Sequence, residues 1–194
     1  MAIKRKSKRA SGRRARKASL GSAELLALEL QEIQSAETQL SRALPRLAKA
    51  VESDALRRMV DRRRGESKRI LKEVNKALGQ LDTRPPSRKK NIAAEGLIDN
   101  ASKHVQTLEA GPAKDAVVIG ALQKTEHYCI AAWGTAKALG ERLGQPAIGR
   151  VMDRALKEGK KFDERLTRLA EREVMPTMLS QELEEYEAYA EQAA

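Results

Sequence analysis

Residues 113–173 read AKDAVVIGALQKTEHYCIAAWGTAKALGERLGQPAIGRVMDRALKEGKKFDERLTRLAERE, and their reading decides the fold. A helical pattern runs from about Ala113 to Leu143, broken by Gly144-Gln145-Pro146 and resumed over 147–173. Two long helical patterns separated by so short a break predict an antiparallel hairpin with a tight turn.

Upstream the same plan recurs. Leu26, Leu30, Ile33, Leu40, Leu44 and Leu47 stand at helical spacing after Ser22, which offers a cap. This helix is expected to reach about Val51, with a kink or local break at Pro45. Ser53 and Asp54 then offer a cap for a second helix over 54–80, striped by Leu56, Met59, Ile70, Val74, Ala77 and Leu78. Residues 82–91, DTRPPSRKKN, read as a loop, and a shorter helix over 92–109 ends at Gly111-Pro112. Two hairpins joined by a long connection with its own short helix predict an all-α, ferritin-like four-helix bundle with one long crossover. Pro176 is expected to end the last bundle helix, leaving an acidic, helix-compatible stretch to the C-terminus.

Composition agrees with this class. Aromatic residues are only 3% of the chain while charged residues are 34%, as amphipathic helices with solvated faces require. The lone Cys129 excludes an internal disulfide and a thiolate zinc site. No apolar run approaches the roughly 18 residues that span a bilayer, and the N-terminus lacks a signal-peptide core. A cytoplasmic protein without membrane contact is the expectation.

The formal charge of +11 is concentrated at one end. Lys4, Arg5, Lys6, Lys8, Arg9, Arg13, Arg14, Arg16 and Lys17 precede the first helix with no acid among them, and without them 29 bases face 27 acids. The expected organisation is a disordered basic tail over 1–21, a bundle over 22–175 and an acidic tail over 176–194. The basic tail reads equally as a nucleic-acid or other polyanion-binding arm and as a solubilising segment.

Four acids lie on or beside apolar stripes, one per long helix. Glu37 follows Leu30 by seven and Ile33 by four; Glu126 follows Leu122 by four and precedes Trp133 by seven. Glu66 lies in line with Met59 and Ile70, and Asp163 precedes Leu166 by three. Buried carboxylates need a cation, a metal or a proton. Carboxylates aimed inward from every helix are the chemical plan of a di-iron or di-manganese site.

Motifs on three helices carry a family resemblance. Residues 35–45, SAETQLSRALP, resemble the SAEKQLxxALP run of the YciE/YciF-type ferritin-like family. Residues 121–135, ALQKTEHYCIAAWGT, are similar to its AAQKVEHYEIAAYGTL signature, and 96–99, GLID, to its GLIEE segment. Spanning roughly 25–172, the resemblance implies a bacterial, stress-associated ferritin-like bundle with a di-metal carboxylate centre of iron or manganese. Three positions depart from the family pattern. Arg63 stands where HLEET has its histidine, Cys129 replaces the last glutamate of EHYE, and Gly159 replaces an acid of EEKATD.

Glu37, Glu66, Glu126 and Asp163 are therefore the candidate metal ligands. Arg63, three residues before Glu66, is the candidate charge substitute for metal unless it points to solvent with Arg62 and Arg64. His127 reads as a boundary residue, Cys129 as a small buried hydrophobe, and Tyr128 as a packing residue or a redox partner. His104 has no evident partner, and no catalytic residue stands out. Three functions follow: a non-catalytic structural or interaction bundle with an eroded metal site, an iron- or manganese-handling protein, or a DNA-associated stress protein. A homodimer is compatible with the fold.

Overall fold

The computed structural model describes residues 20–81 and 90–193, which are helical with no strand among them. Most of the basic tail and of the 82–91 loop lies outside the described residues. The helices are α1 (Ser22–Ala50), α2 (Asp54–Gln80), α3 (Ile92–Thr107), α4 (Pro112–Arg142), α5 (Pro146–Leu169) and α6 (Met175–Ala193). A π-helical segment, Ala170–Val174, joins the last two. Helices α1, α2, α5 and α4 pack as neighbours around a ring, and α3 lies against α1 and α4. This is the four-helix bundle with a long crossover that the two hairpins predict.

Local chemistry sets each join. Ser53 Oγ accepts from Leu56 N at 3.2 Å, capping α2. Arg57 closes the C-terminal end of α1 by donating to the carbonyls of Ala48 and Val51. Buried Asp115 accepts from the backbone N–H groups of Glu52 and Ser53 at 2.9 and 2.7 Å, tying the α1–α2 turn to the start of α4. Gly144, at φ 68°, takes the left-handed position after α4. There Gln145 N donates to Gly140 O at 2.8 Å and Gly144 N to Glu141 O at 3.3 Å, the paired bonds of a Schellman end.

The crossover helix is anchored by Asn91, assigned to a loop from sequence. Its Oδ1 caps α3 through Ala94 N at 2.9 Å. Its amide nitrogen donates to Glu32 O and to the Tyr128 hydroxyl, and its backbone N–H donates to Ser35 Oγ. One buried side chain thus pins α3 to both α1 and α4. Tyr128 is accounted for by this contact and by packing on the core.

Two expectations about proline are corrected. Pro45 does not break α1, which runs unbroken from Ser22 to Ala50. Pro176 does not end the last helix: the chain stays helical to Ala193. In the π segment Met175 N donates to Ala170 O, one residue wider than the α-helical bond. The wider turn immediately before Pro176 absorbs the steric demand of its ring. Ser22 is also not the cap of α1; Gly21 holds that position without a side-chain bond.

The core is divided. One apolar cluster gathers Leu26, Leu30, Ile33, Ile70, Val74, Cys129, Trp133, Ile148 and Met152. A second gathers Leu44, Leu47, Leu56, Val60, Ile119, Leu122, Phe162 and Leu166. Along α2 the boundary falls between Val60 and Ile70, and along α4 between Leu122 and Cys129. A charged layer occupies it.

Candidate metal centre filled by a buried arginine

Arg63 points from α2 into this layer, its side chain 2% exposed, between Glu37 on α1 and Glu126 on α4, which are 1% and 3% exposed. Nη1 and Nη2 donate to the two Glu37 oxygens at 3.2 Å each, a fork-to-fork pair. Nε donates to Glu126 Oε2 at 2.7 Å. Nη1 also donates to Ser67 Oγ at 2.7 Å, one helical turn along α2. The guanidinium carbon lies 5.4 Å from the centroid of the Trp133 ring, within cation–π range. Arg63 therefore connects three helices through one planar cation.

Burial alone opposes the charge on Arg63, but Glu37 and Glu126 outweigh it and raise its pKa well above the ordinary guanidinium value. Burial pushes the Glu126 carboxyl up, against the pull of Arg63, and Glu37 adds to the rise. Glu126 Oε1 accepts no hydrogen bond. The Cys129 thiol is raised well above its usual range, by burial first and by Glu37 second, so it is held neutral as a small apolar group.

The four sequence-nominated acids do not form one cluster. Glu37 and Glu126 converge on Arg63. Glu66 is half-buried in a small pocket between α2 and α5, among Met59, Arg62, Glu158, Lys161, Phe162 and Arg165. Burial raises its carboxyl pKa, with Arg63 opposing. Asp163 turns to the rim, where Oδ2 lies 3.1 Å from Nε2 of exposed His127 and Oδ1 accepts from Gln123 at 3.3 Å. His104 is exposed on α3. Arg62 is exposed and Arg64 half-buried, so the arginines at 62–64 divide by face.

The donor set does not fit a di-metal centre. Among the described residues, no three His, Cys, Asp or Glu side chains converge as metal ligands. The two acids that do converge have turned three oxygens toward a guanidinium that carries the charge and fills the space. Gly159 completes the filling. A Cβ built there would lie 2.5 Å from Trp133 Cζ3 and 2.6 Å from Glu126 Oε1, so the ring and the carboxylate occupy the room an acid at 159 would need. Sequence reasoning missed Ser67 and the Trp133 stacking. Ser67 stands four residues after Arg63, which is the one signal that could have nominated it.

The chain's relatives have the same architecture. The family described as domain of unknown function DUF892 matches residues 22–179. Protein YciF of Escherichia coli K12 is 34% identical over 141 residues, 73% of this chain and 85% of the relative. The crystal structure of that E. coli stress protein superposes with a TM-score of 0.74 at 32% identity, covering 78% of this chain and 96% of the other. YcfI of Rhodopseudomonas palustris, provisionally described as a structural protein, gives 0.72 at 26% identity with the same coverage. A Xanthomonas campestris protein at 17% identity, with a TM-score of 0.64, shares the fold. With its bundle built and its third-helix motif in place, the chain belongs to the YciF-type ferritin-like family, DUF892.

Proposed function

We propose that this protein is a non-catalytic member of its family, a cytoplasmic structural or interaction bundle in which Arg63 stands in for the metal of a carboxylate site. The observation that carries the reading is the four-bond engagement of buried Arg63 by Glu37, Glu126 and Ser67. A fixed cation in the middle of the bundle neutralises the inward carboxylates and supports the helices, as a bound ion would. A guanidinium, unlike a metal ion, has no coordination position at which to bind and activate oxygen or peroxide. The description of E. coli YciF as a stress protein, and of YcfI as structural, accords with a role by association during stress.

The test is metal uptake. After incubation with ferrous iron or manganese and desalting, the wild-type protein is expected to retain no stoichiometric metal. Arg63→His, which removes the cation and restores an imidazole beside Glu66, is expected to gain uptake. Two ions per wild-type chain would defeat the proposal and favour the iron- or manganese-handling reading.

The nine bases of the tail support a second, compatible reading as a DNA-binding arm. Duplex binding that weakens steeply with salt and vanishes without residues 1–20 is the result it requires. Salt-independent binding, or binding that survives the truncation, would remove it.

A further inference from the structure

The near-neutral charge of the helical part of the chain is unevenly divided. Helices α1, α3 and α4 together hold eight bases against nine acids, and α6 holds five acids and no base. Helices α2 and α5, neighbours in the ring, hold sixteen bases against eight acids. Burial sharpens the division, since twelve bases on these two helices are exposed against three acids, Asp54, Asp61 and Glu164. The excess falls into two rows. On α2, Arg58, Arg62, Arg69, Lys72 and Lys76 are all exposed and, at about 100° per residue, lie within an arc of about 80°. On α5, Arg150, Arg154, Lys157, Lys161 and Arg168 are exposed within an arc of about 60°. Each row is about 27 Å long at 1.5 Å per residue.

Only part of each row is engaged within the protein. Arg69 pairs with Glu158, Lys157 with Asp153, and Arg168 with Glu164 at 4.0 Å. Among the described residues, Arg58, Arg62, Lys72 and Lys76 on α2 and Arg150, Arg154 and Lys161 on α5 make no ion pair. The acids between the two helices, Glu66, Glu73 and Glu158, are half-buried in the furrow, whereas the row bases stand exposed on the ridges. The rows also begin beside the basic tail. Leu26, near the start of α1, packs in one cluster with Val74 and Ile148, so α1 starts at the end of the rows marked by Lys76 and Arg150.

We propose that the α2 and α5 ridges form a contact surface for double-stranded nucleic acid, holding its phosphates without reading its sequence. The inference rests on the reading of the tail as a DNA-binding arm for capture of the duplex, which the rows then seat on the bundle. A duplex carries one charge per about 1.7 Å of axis, so a row of about 27 Å lies beside about sixteen phosphates. Straight rows of cations on rigid helices suit a polyanion that is itself stiff over about 150 base pairs. Arginine and lysine contacts to phosphate oxygens position a duplex and carry no sequence information. Single strands fit less well, because they are held by stacking on exposed aromatic rings, and Phe162, the one aromatic on these helices, is buried. A lipid surface also fits less well. None of the large exposed apolar residues of the described chain stands on α2 or α5, leaving nothing there to enter the acyl boundary.

Fluorescence anisotropy of a labelled duplex of about 24 base pairs, titrated with the full-length chain from about 50 to 200 mM salt, tests this. Arg58→Gln/Arg62→Gln/Lys72→Gln depletes the α2 row, and Arg150→Gln/Arg154→Gln/Lys161→Gln depletes the α5 row. The control, Lys49→Gln/Lys103→Gln/Lys124→Gln, removes the same charge from exposed positions on α1, α3 and α4. Far-UV circular dichroism confirms that each variant stays helical. Each row variant is expected to weaken binding at least about tenfold and to lower the salt slope by about 2–3, at about 0.9 per lost phosphate contact. The control, acting only through a field screened within about 10 Å, is expected to stay within about threefold of wild type. A wild type that does not bind the duplex, row variants no weaker than the control, or an unchanged slope overturns the proposal. So does row-dependent binding to phosphatidylcholine vesicles containing about 30% phosphatidylserine, unaccompanied by row-dependent binding of the duplex. The arm and the face fail separately. Binding lost without residues 1–20 but indifferent to the rows overturns the face and leaves the arm. Binding that survives that truncation and still needs the rows supports the face and defeats the arm.

Discussion

Replacing Arg63 with alanine strips the charged layer of its only buried cation among the described residues while leaving Glu37 and Glu126 buried. Removing one partner of a buried pair costs about 3–5 kcal/mol, because the remaining charge is neither solvated nor paired. Two carboxylates remain here, and the packing of the guanidinium on Trp133 is lost as well, so the upper part of that range applies. In a domain of this size each kcal/mol lowers Tm by about 2–4 °C, giving a fall of about 10 °C or more. Arg62→Ala, one residue away but exposed, is the control and is expected to shift Tm by no more than about 2 °C. Thermal melts by circular dichroism at pH 7 compare the two. The penalty for Arg63→Ala is expected to shrink toward pH 5, as the buried Glu126 carboxylate, freed of Arg63, takes up a proton. The triple replacement Glu37→Leu/Arg63→Met/Glu126→Leu removes every charge together and is expected to recover most of the loss. Equal melting temperatures for Arg63→Ala and Arg62→Ala would refute the reasoning.

Gly159→Ala should lower Tm despite the better helix propensity of alanine, worth up to about 1 kcal/mol, because overpacking against Trp133 and Glu126 costs about 1–3 kcal/mol; a rise in Tm would show the site has slack. Native Cys129 is expected to resist a thiol reagent at pH 8 and to react fully once unfolded, since it is buried with its pKa well raised. Rapid native labelling would contradict that burial. Glu126 has a folded pKa raised above 4.5, so the native state binds its proton more tightly than the unfolded chain. Its contribution is present below 4.5 and lost as pH rises through the folded value. The stability of the wild type relative to Glu126→Gln should therefore decline as pH rises above 4.5 in denaturant titrations. A difference that is flat or grows with pH would place the proton elsewhere.

Much of the bundle was legible along the chain because helices announce themselves locally. The 3.6-residue stripe of α1, the Ser53 cap and the Gly144-Gln145-Pro146 break act within a few residues of where they stand. The prolines misled for the same reason. Pro45 and Pro176 carry a local breaking tendency, and the packing around them outweighs it: α1 is buried along one full side, and a π turn accommodates Pro176. Asn91 and Asp115 were invisible, since each acts on backbone groups of elements far away in sequence.

The candidate site divides the same way. Glu37 and Glu126 were visible as charges on apolar stripes, while the sequence left Arg63 open between the core and the solvent face of Arg62 and Arg64. Which of them meet was decided only in three dimensions. Asp163 ends at the His127 rim and Glu66 in the small pocket between α2 and α5. Periodicity fixes a direction to within about a quarter turn of a helix, whereas a hydrogen bond requires its partners within about 3 Å. The sequence by itself thus determined an all-helical bundle with misplaced charges in its core. Tertiary packing decided that an arginine, held by two carboxylates and a serine, closes that core.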